Sequence, residues 1–143
     1  MQDQSKEPHV ERMDAFLERL RRWAQPRRDV RALAIVGSFA PGEARPDSDL
    51  DLVLLTDERD KYVGTDWTAD LGPIRSVALE YYGKVTSVRA FYRDGLEVEL
   101  AIAPADWASA PLDAGTEQVV RDGFIVLMDR DGHATALERA LAG

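Results

Sequence analysis

The sequence predicts a single α+β domain in which a mixed sheet of about four or five strands packs against helices. Three observations predict this fold class: an amphipathic helical pattern near the N-terminus, several short apolar runs of strand length, and a hairpin signal in the second half of the chain. A chain of 143 residues fits one domain, residues 1–143, and its 45% hydrophobic content is enough for one core. No repeat or long linker divides the sequence.

An amphipathic helix is predicted first. Apolar residues recur at helical spacing from Pro8 to Ala24, acidic residues lie early and arginines late, and Pro26 ends the pattern. The preceding residues 1–7 are polar and are expected to be disordered. The locally basic run from Arg19 to Arg31 could hold an anionic ligand, although a solvated helix end is the commoner reason for such a run.

Two strands are predicted after the helix. The apolar run from Val30 to Val36 indicates a buried strand. A second strand is predicted from Asp49 to Leu55, in which Asp49 and Asp51 share one face and the alternating leucines share the other. Residues 56–72 are then expected to form a long, acidic, irregular connection with one helical turn.

A hairpin is the clearest local signal in the second half of the chain. Strand-like runs from Val85 to Tyr92 and from Leu96 to Ala103 flank Asp94-Gly95, which favours a type I′ turn because both central residues of that turn need positive φ. A register centred on this dipeptide places Glu99 opposite Ala90 and Glu97 opposite Tyr92. The other predicted elements are a strand from Ile74 to Tyr81, a helical or looped segment at 105–122, a strand from Phe124 to Met128 and a closing helix from Thr135 to Leu141.

The composition excludes several classes of protein. The net charge is −8, and we do not expect non-specific nucleic-acid binding, because phosphate contacts need clustered Lys and Arg. There are no cysteines, which excludes disulfides and thiolate metal sites. No stretch is apolar enough for a signal peptide or a membrane span, so the expectation is a cytoplasmic protein without membrane contact.

Residues 37–52 carry the strongest chemical signal. Gly37-Ser38 follows the first strand, and free backbone N–H groups at such a turn suit phosphate oxygens. Asp49 and Asp51 then share one strand face, and Mg²⁺ binds carboxylate and phosphate oxygens. We expect a third carboxylate from a neighbouring strand. Glu99 is preferred because the small Ala90 would leave room beside it, and Glu97 is the lesser candidate.

The segment GSFAPGEARPDSDLDL resembles the signature of the nucleotidyltransferase superfamily that includes DNA polymerase β. Gly37-Ser38 is similar to the phosphate-binding pair of that signature, Ser48-Asp49-Leu50-Asp51 to its metal-binding pair, and Glu99 to its third carboxylate. Many relatives have Arg where this chain has Pro41, and Arg45 could replace that missing cation. The resemblance implies the nucleotidyltransferase fold.

The same resemblance implies a metal-dependent enzyme. It would transfer a nucleoside monophosphate from a nucleoside triphosphate, expected to be ATP, to a hydroxyl of a small acceptor and release pyrophosphate; an aminoglycoside is one candidate acceptor. Asp49 and Asp51 would hold one Mg²⁺ or Mn²⁺, and a second metal would be shared with Glu99, which could itself take the acceptor proton. The residues that would bind the triphosphate are Gly37, Ser38, Arg45 and Ser48.

Alternatives remain open at the level of the sequence. The acceptor could be a small protein partner, as in minimal nucleotidyltransferases that act as antitoxins. The domain could instead be catalytically silent and bind only nucleotide or protein. The protein could also form a homodimer. The two aspartates could form a solvated turn and an exposed strand face, Gly37-Ser38 a helix cap, and Glu99 an exposed hairpin position. Acidic residues at 57, 58, 60, 66 and 70 could attract a cationic acceptor or simply form a solvated loop.

Overall fold

The computed structural model describes residues 7–36, 50–64, 66–82, 85–105, 124–132 and 134–136. One long helix, α1, spans Glu7–Ala24. The strands are β1 (Val30–Val36), β2 (Leu50–Thr56), β3 (Ile74–Tyr82), β4 (Val85–Tyr92), β5 (Glu97–Pro104) and β6 (Phe124–Asp129). The α+β class predicted from the sequence is therefore confirmed. The predictions for 106–122 and for the closing helix beyond Ala136 lie outside the described residues.

In the described ranges the strands form one mixed sheet in the order β3-β4-β5-β2-β1-β6. Its two central strands, β2 and β5, run parallel, and every other neighbouring pair is antiparallel. The expected number of about four or five strands was too low, because β3 and β6 both join the sheet, one at each edge. Each edge strand pairs with one neighbour, β3 with β4 and β6 with β1.

The helix α1 covers one face of the sheet, which we call the helix face. Phe16 and Leu20 of α1 are fully buried there. Leu50, Leu52 and Leu54 of β2 belong to the same cluster, as the alternation of the sequence predicts. Burial of α1 against the sheet supplies most of its stability, as it does for most helices in globular proteins. No helix in the described part of the chain is both long and apolar enough to cross a membrane.

The opposite face of the sheet, here called the second face, carries a smaller apolar cluster. That cluster contains Val53 and Leu55 of β2, Ala32 of β1 and Ala103 of β5, and it packs against Ala134. Alanine and valine make up most of this cluster. Because strand residues alternate between faces, Asp51 of β2 projects to this second face rather than towards α1.

The connection between β2 and β3 packs against α1 through aromatic rings. It contains two short 3₁₀ helices, Arg59–Lys61 and Asp66–Leu71, where the sequence predicted one helical turn. Trp67 stacks on Trp23 of α1 with ring centroids 5.2 Å apart. Its indole N–H donates to the carbonyl of Tyr62, so the ring is held in the core. Trp67 is therefore a packing residue of the core.

A carboxylate that is 11% exposed, that of Asp29, links the same connection to the start of β1. Asp29 accepts hydrogen bonds from the hydroxyls of Tyr62 and Thr56 and faces the ammonium group of Lys61. Burial alone would raise the pKa of Asp29, but the two hydroxyl donors and the Lys61 charge outweigh it and hold that pKa below 3.8. Burial and the bond to Asp29 raise the pKa of the Tyr62 phenol. This contact lies at the end of β2 that is farther from Asp51.

The β4–β5 hairpin has a different turn from the predicted one. Gly95 has a positive φ of 97°, Asp94 does not, and the Gly95 N–H donates to the Tyr92 carbonyl. A three-residue loop with a positive-φ glycine is typical of a type I turn followed by a bulge. The pairing is Arg89 with Glu99, Ala90 with Val98, and Phe91 with Glu97. The predicted partners of Glu99 and Glu97 were therefore wrong by one residue.

Candidate active site

Asp51 is an unusual residue for its position. It lies in β2, where every residue is buried, and it is itself only 9% exposed. β2 is one of the two central strands of the sheet. An ionised carboxylate in such a strand costs free energy unless a cation or hydrogen-bond donors compensate it. A carboxylate retained at such a position is more typical of a functional site than of a solvated strand face.

Glu99 lies directly beside Asp51. The two residues are partners in the parallel pairing of β2 with β5, so their side chains project from the same face of the sheet. Neighbouring strands are about 4.8 Å apart, which brings the two carboxylate-bearing positions within reach of one small ligand. Glu99 is half-buried, with 26% of its side chain exposed. The structure thus brings together two of the three predicted carboxylates.

Two side chains of β4 contact the Glu99 carboxylate. The Ser87 hydroxyl donates to Oε2 of Glu99 at 2.8 Å, and Nη2 of Arg89 donates to the same oxygen at 3.3 Å. Arg89 also approaches Glu97, with 4.0 Å between Nη1 and a carboxylate oxygen. Both β4 residues project to the second face because Ser87 pairs with Ala101 and Arg89 with Glu99. The sequence interpretation did not include either of them.

The corrected hairpin register changes the reason for preferring Glu99 over Glu97. Ala90 does not lie beside Glu99; it is buried on the helix face, opposite Val98. What distinguishes Glu99 is its pairing with Asp51, because no described residue of β2 pairs with Glu97. The structure therefore gives a different geometric argument for the same choice, while the role of Glu99 as a ligand stays a prediction.

Two adjacent carboxylates on one face fit a divalent cation. Mg²⁺ takes oxygen ligands, and it often binds through one or two carboxylates together with phosphate oxygens. Within the described ranges no group of three acidic or histidine side chains is close enough to hold a metal. A site built by Asp51 and Glu99 would thus depend on further oxygens, for which the sequence proposes Asp49. The carboxylate oxygens of Asp51 and Glu99 are of the type that Mg²⁺ binds.

Several predicted site residues lie outside the described part of the chain. These are Gly37, Ser38, Arg45, Ser48 and Asp49, which fall in the segment 37–49 together with Pro41. The described ends of that segment are Val36, the last residue of β1, and Leu50, the first of β2. These two strands are neighbours and antiparallel, so the segment connects two adjacent strand ends beside Asp51. The roles proposed for its residues remain predictions.

Three of the acidic residues of the β2–β3 connection have partners from the chain itself. Asp70 accepts from the Trp23 indole and lies near Arg27, Glu58 pairs with Lys61, and Asp57 lies 4.0 Å from Arg31. This arrangement supports a solvated, internally paired loop rather than a surface that attracts a cationic acceptor.

The aromatic residues also fit packing. Tyr92 is buried against Phe16 and donates to the Thr68 carbonyl. Burial raises the pKa of its phenol, which stays protonated. Tyr81, in contrast, is 68% exposed on the edge strand β3. Tyr92 and Trp67 therefore supply core packing, whereas Tyr81 does not.

Comparison with known proteins gives a family-model match and similar solved structures. The family model described as nucleotidyltransferase domain matches residues 13–102, a range that begins in α1 and ends in β5. No curated protein sequence matches the chain significantly. Among solved structures, the chain is similar to an aminoglycoside 6-adenyltransferase from Bacillus subtilis, at 18% identity and a TM-score of 0.49 over 67% of this chain and 35% of that one.

A second solved structure in the comparison is a CCA-adding enzyme in its apo form I, at 14% identity and a TM-score of 0.47. It is matched over 92% of this chain and 32% of its own. The chain therefore spans about a third of the length of each of these two structures. The family model, in contrast, covers more than half of the present chain and includes both Asp51 and Glu99. The chain belongs to the nucleotidyltransferase domain family.

Proposed function

We propose that the protein is a metal-dependent nucleotidyltransferase that uses a nucleoside triphosphate, with ATP as the expected donor, to modify a hydroxyl of a small-molecule acceptor. In the proposed reaction the acceptor oxygen forms a bond to the α-phosphorus, the bond from that phosphorus to the β-phosphate bridging oxygen breaks, and pyrophosphate leaves. The observation that supports this most is the pairing of Asp51 with Glu99 on the second face of the sheet. The family match agrees with it.

The residues would divide the work by position. Asp51, together with Asp49, would hold Mg²⁺ or Mn²⁺ with the triphosphate, and Glu99 with Asp51 would face the acceptor hydroxyl. A bound divalent metal supplies charge neutralisation for the phosphates and a lower pKa for the attacking hydroxyl. Glu99 would accept the proton or orient the hydroxyl. Most of the rate enhancement would come from holding the two reactants in line.

The segment 37–49 would hold the triphosphate. Gly37 and Ser38 would present backbone N–H groups and a hydroxyl to phosphate oxygens, and Ser48 would add a second hydroxyl. Arg45 would supply the cation that relatives carry where this chain has Pro41. The placement of Val36 and Leu50 supports this assignment, because the segment joins two strand ends adjacent to Asp51.

The proposal is tested by calorimetric titration, which requires no knowledge of the acceptor. Each of the four triphosphates would be added with Mg²⁺ as an analogue whose α–β bond cannot be cleaved. We expect binding that is lost with EDTA and that weakens at least about tenfold in Asp51→Asn, since loss of a ligand charge removes a main metal contact. Asp66→Asn is the matched control, because Asp66 is an exposed carboxylate of the β2–β3 connection.

Three outcomes decide between the proposal and its rivals. Mg²⁺-dependent binding by the wild type and by Asp66→Asn, but not by Asp51→Asn, supports an active site and ranks the bases for an acceptor screen by pyrophosphate release. Absence of binding by a folded wild-type protein contradicts the proposal and favours a catalytically silent domain. Binding without transfer to any small hydroxyl compound, but with transfer to a co-expressed protein, would replace the small acceptor by a protein one.

A further inference from the structure

The contacts of Glu99 differ between its two carboxylate oxygens. The Ser87 hydroxyl and the Arg89 guanidinium both donate to Oε2, and neither contact involves Oε1. Two donors on one oxygen restrict the rotation of a carboxylate about its last bond. They also leave the second oxygen to point elsewhere. Such asymmetry is what a metal-binding carboxylate needs, because a ligand oxygen works best when its orientation is set before the metal arrives.

Ser87 is well placed to hold this orientation. It is 6% exposed, and its cross-strand partner on β5 is Ala101, whose small side chain leaves space between the two strands. Glu99 lies diagonally across from Ser87, a separation of about 7–8 Å between Cα atoms that a long side chain can span. The carboxylate therefore reaches along the sheet to a buried hydroxyl that has little freedom to move.

Arg89 acts on the same oxygen through charge. Its guanidinium lies 3.3 Å from Glu99 and 4.0 Å from Glu97, so it sits between the two glutamates of β5. With 30% of its side chain exposed, Arg89 is screened less than a surface residue would be. Its positive charge reduces the repulsion among Asp51, Glu97 and Glu99. Its hydrogen bond occupies Oε2 of Glu99 and not Oε1.

We propose that Ser87 and Arg89 are positioning residues that hold Oε2 of Glu99 so that Oε1 is presented as the ligand to a divalent metal beside Asp51. This inference rests on the proposed function, because it assigns a role toward the metal of that site. Neither residue needs to touch the metal or the nucleotide. Each acts through the carboxylate of Glu99, so its effect must disappear when Glu99 can no longer bind a metal.

The test is a double-mutant cycle read by metal affinity. The affinity of Mn²⁺, with an ATP analogue that cannot be cleaved, would be measured by electron paramagnetic resonance for the wild type, Ser87→Ala, Glu99→Gln and the double variant. We expect Ser87→Ala to weaken Mn²⁺ binding by about tenfold, the lower end of the range for residues that orient metal ligands. In the Glu99→Gln background the same change should have no further effect.

Further variants separate positioning from packing. Ser87→Thr keeps the hydroxyl and should recover most of the affinity lost in Ser87→Ala. Arg89→Gln should weaken Mn²⁺ binding in the same Glu99-dependent way. Because Arg89 is more exposed than Ser87, this variant replaces Ser87→Ala in the double-mutant cycle if Ser87→Ala does not fold. Ser76→Ala is the matched control, since Ser76 is an exposed serine of β3, and it should bind Mn²⁺ as the wild type does.

Each contrary result has a distinct meaning. If the wild type binds no Mn²⁺, the proposed function itself fails. If Glu99→Gln weakens binding but neither Ser87→Ala nor Arg89→Gln does, the proposed function stands and the positioning role is overturned. Equal losses for Ser87→Ala with and without Glu99 would show that the hydroxyl acts on the fold rather than on the carboxylate, which also overturns it.

Discussion

The variant Tyr62→Phe removes one hydroxyl. It tests whether the hydrogen bonds of Asp29 stabilise the packing of the β2–β3 connection against the rest of the domain. The phenol of Tyr62 donates to the Asp29 carboxylate, and the ring itself is 3% exposed. Phenylalanine retains the ring and its contacts with Trp23 and Trp67, so the change removes the hydrogen bond without opening a large cavity.

The expected cost follows from the nature of the acceptor. A hydrogen bond to a charged group contributes about 1.5–3 kcal/mol to the free energy of unfolding, more than a neutral one. Asp29 is 11% exposed, so water replaces the lost donor poorly. Thr56 and Lys61 still contact the carboxylate, which favours the lower half of that range. A loss of about 2 kcal/mol corresponds to a fall of roughly 6–10 °C in Tm for a domain of this size.

The pH dependence identifies the carboxylate as the cause. The folded-state pKa of Asp29 is lower than 3.8, its ordinary value, so the stabilisation is present above the unfolded-state pKa and is lost as the pH falls through the folded-state value. Urea unfolding at pH 7 should therefore show the full difference between wild type and Tyr62→Phe. The difference should shrink as the pH falls below 3.8, provided that both proteins still fold there.

A control and a refuting result complete this experiment. Tyr81→Phe removes the same hydroxyl from a ring that is 68% exposed and should change the free energy of unfolding by less than about 0.5 kcal/mol. If Tyr62→Phe costs the same at acidic pH as at pH 7, the loss does not come from an ionised Asp29. A loss no larger than that of Tyr81→Phe would show that Asp29 is satisfied without Tyr62.

Two further changes test other parts of the fold. Gly95→Ala should destabilise the domain by about 1–2 kcal/mol in urea unfolding, because Gly95 has φ +97° and an added Cβ would meet no atom that could clash. Gly64→Ala is the control: its added Cβ also meets no atom, and it should be near neutral. Equal effects of the two changes would contradict the explanation from backbone conformation. Arg130→Met should lower the free energy of unfolding by about 1–2 kcal/mol, because the guanidinium donates to the carbonyls of Ala24 and Gln25 at the end of α1 and of Val30 in β1. The exposed Arg21 provides the control Arg21→Met, and a loss as large there would show that charge alone matters.

The elements that depend on local signals could be predicted from the sequence. The end of α1 before Pro26, the bounds of β1 and β4, and the alternation of faces in β2 all follow from spacing and from residues that stop a helix or strand. The packing of the β2–β3 connection could not be predicted in this way. Trp67 becomes a core residue because Trp23, far from it in the chain, provides its partner.

The hairpin register shows where a local rule fails. Asp-Gly is compatible with a two-residue loop and with a three-residue loop ending in glycine, and these differ by one residue in pairing. A one-residue shift moves every side chain to the other face. The assumed register placed Glu99 opposite Ala90, on the apolar face of β4, whereas the alternation of β4 and β5 together demands Arg89 there. That consistency check would have found Ser87 and Arg89 as neighbours of Glu99.

The parallel pairing of β2 with β5 has a consequence for how the site forms. The β3–β4 hairpin lies between these strands in the chain, so Asp51 and Glu99 meet only after a long loop closes. Contacts of this kind form at a large entropic cost and slow the folding of a domain, which makes the carboxylate pair a property of the completed sheet rather than of any fragment. A ligand that bridges β2 and β5 would therefore bind the native state and not the unfolded chain. Binding of that ligand would therefore raise the free energy of unfolding of the whole domain.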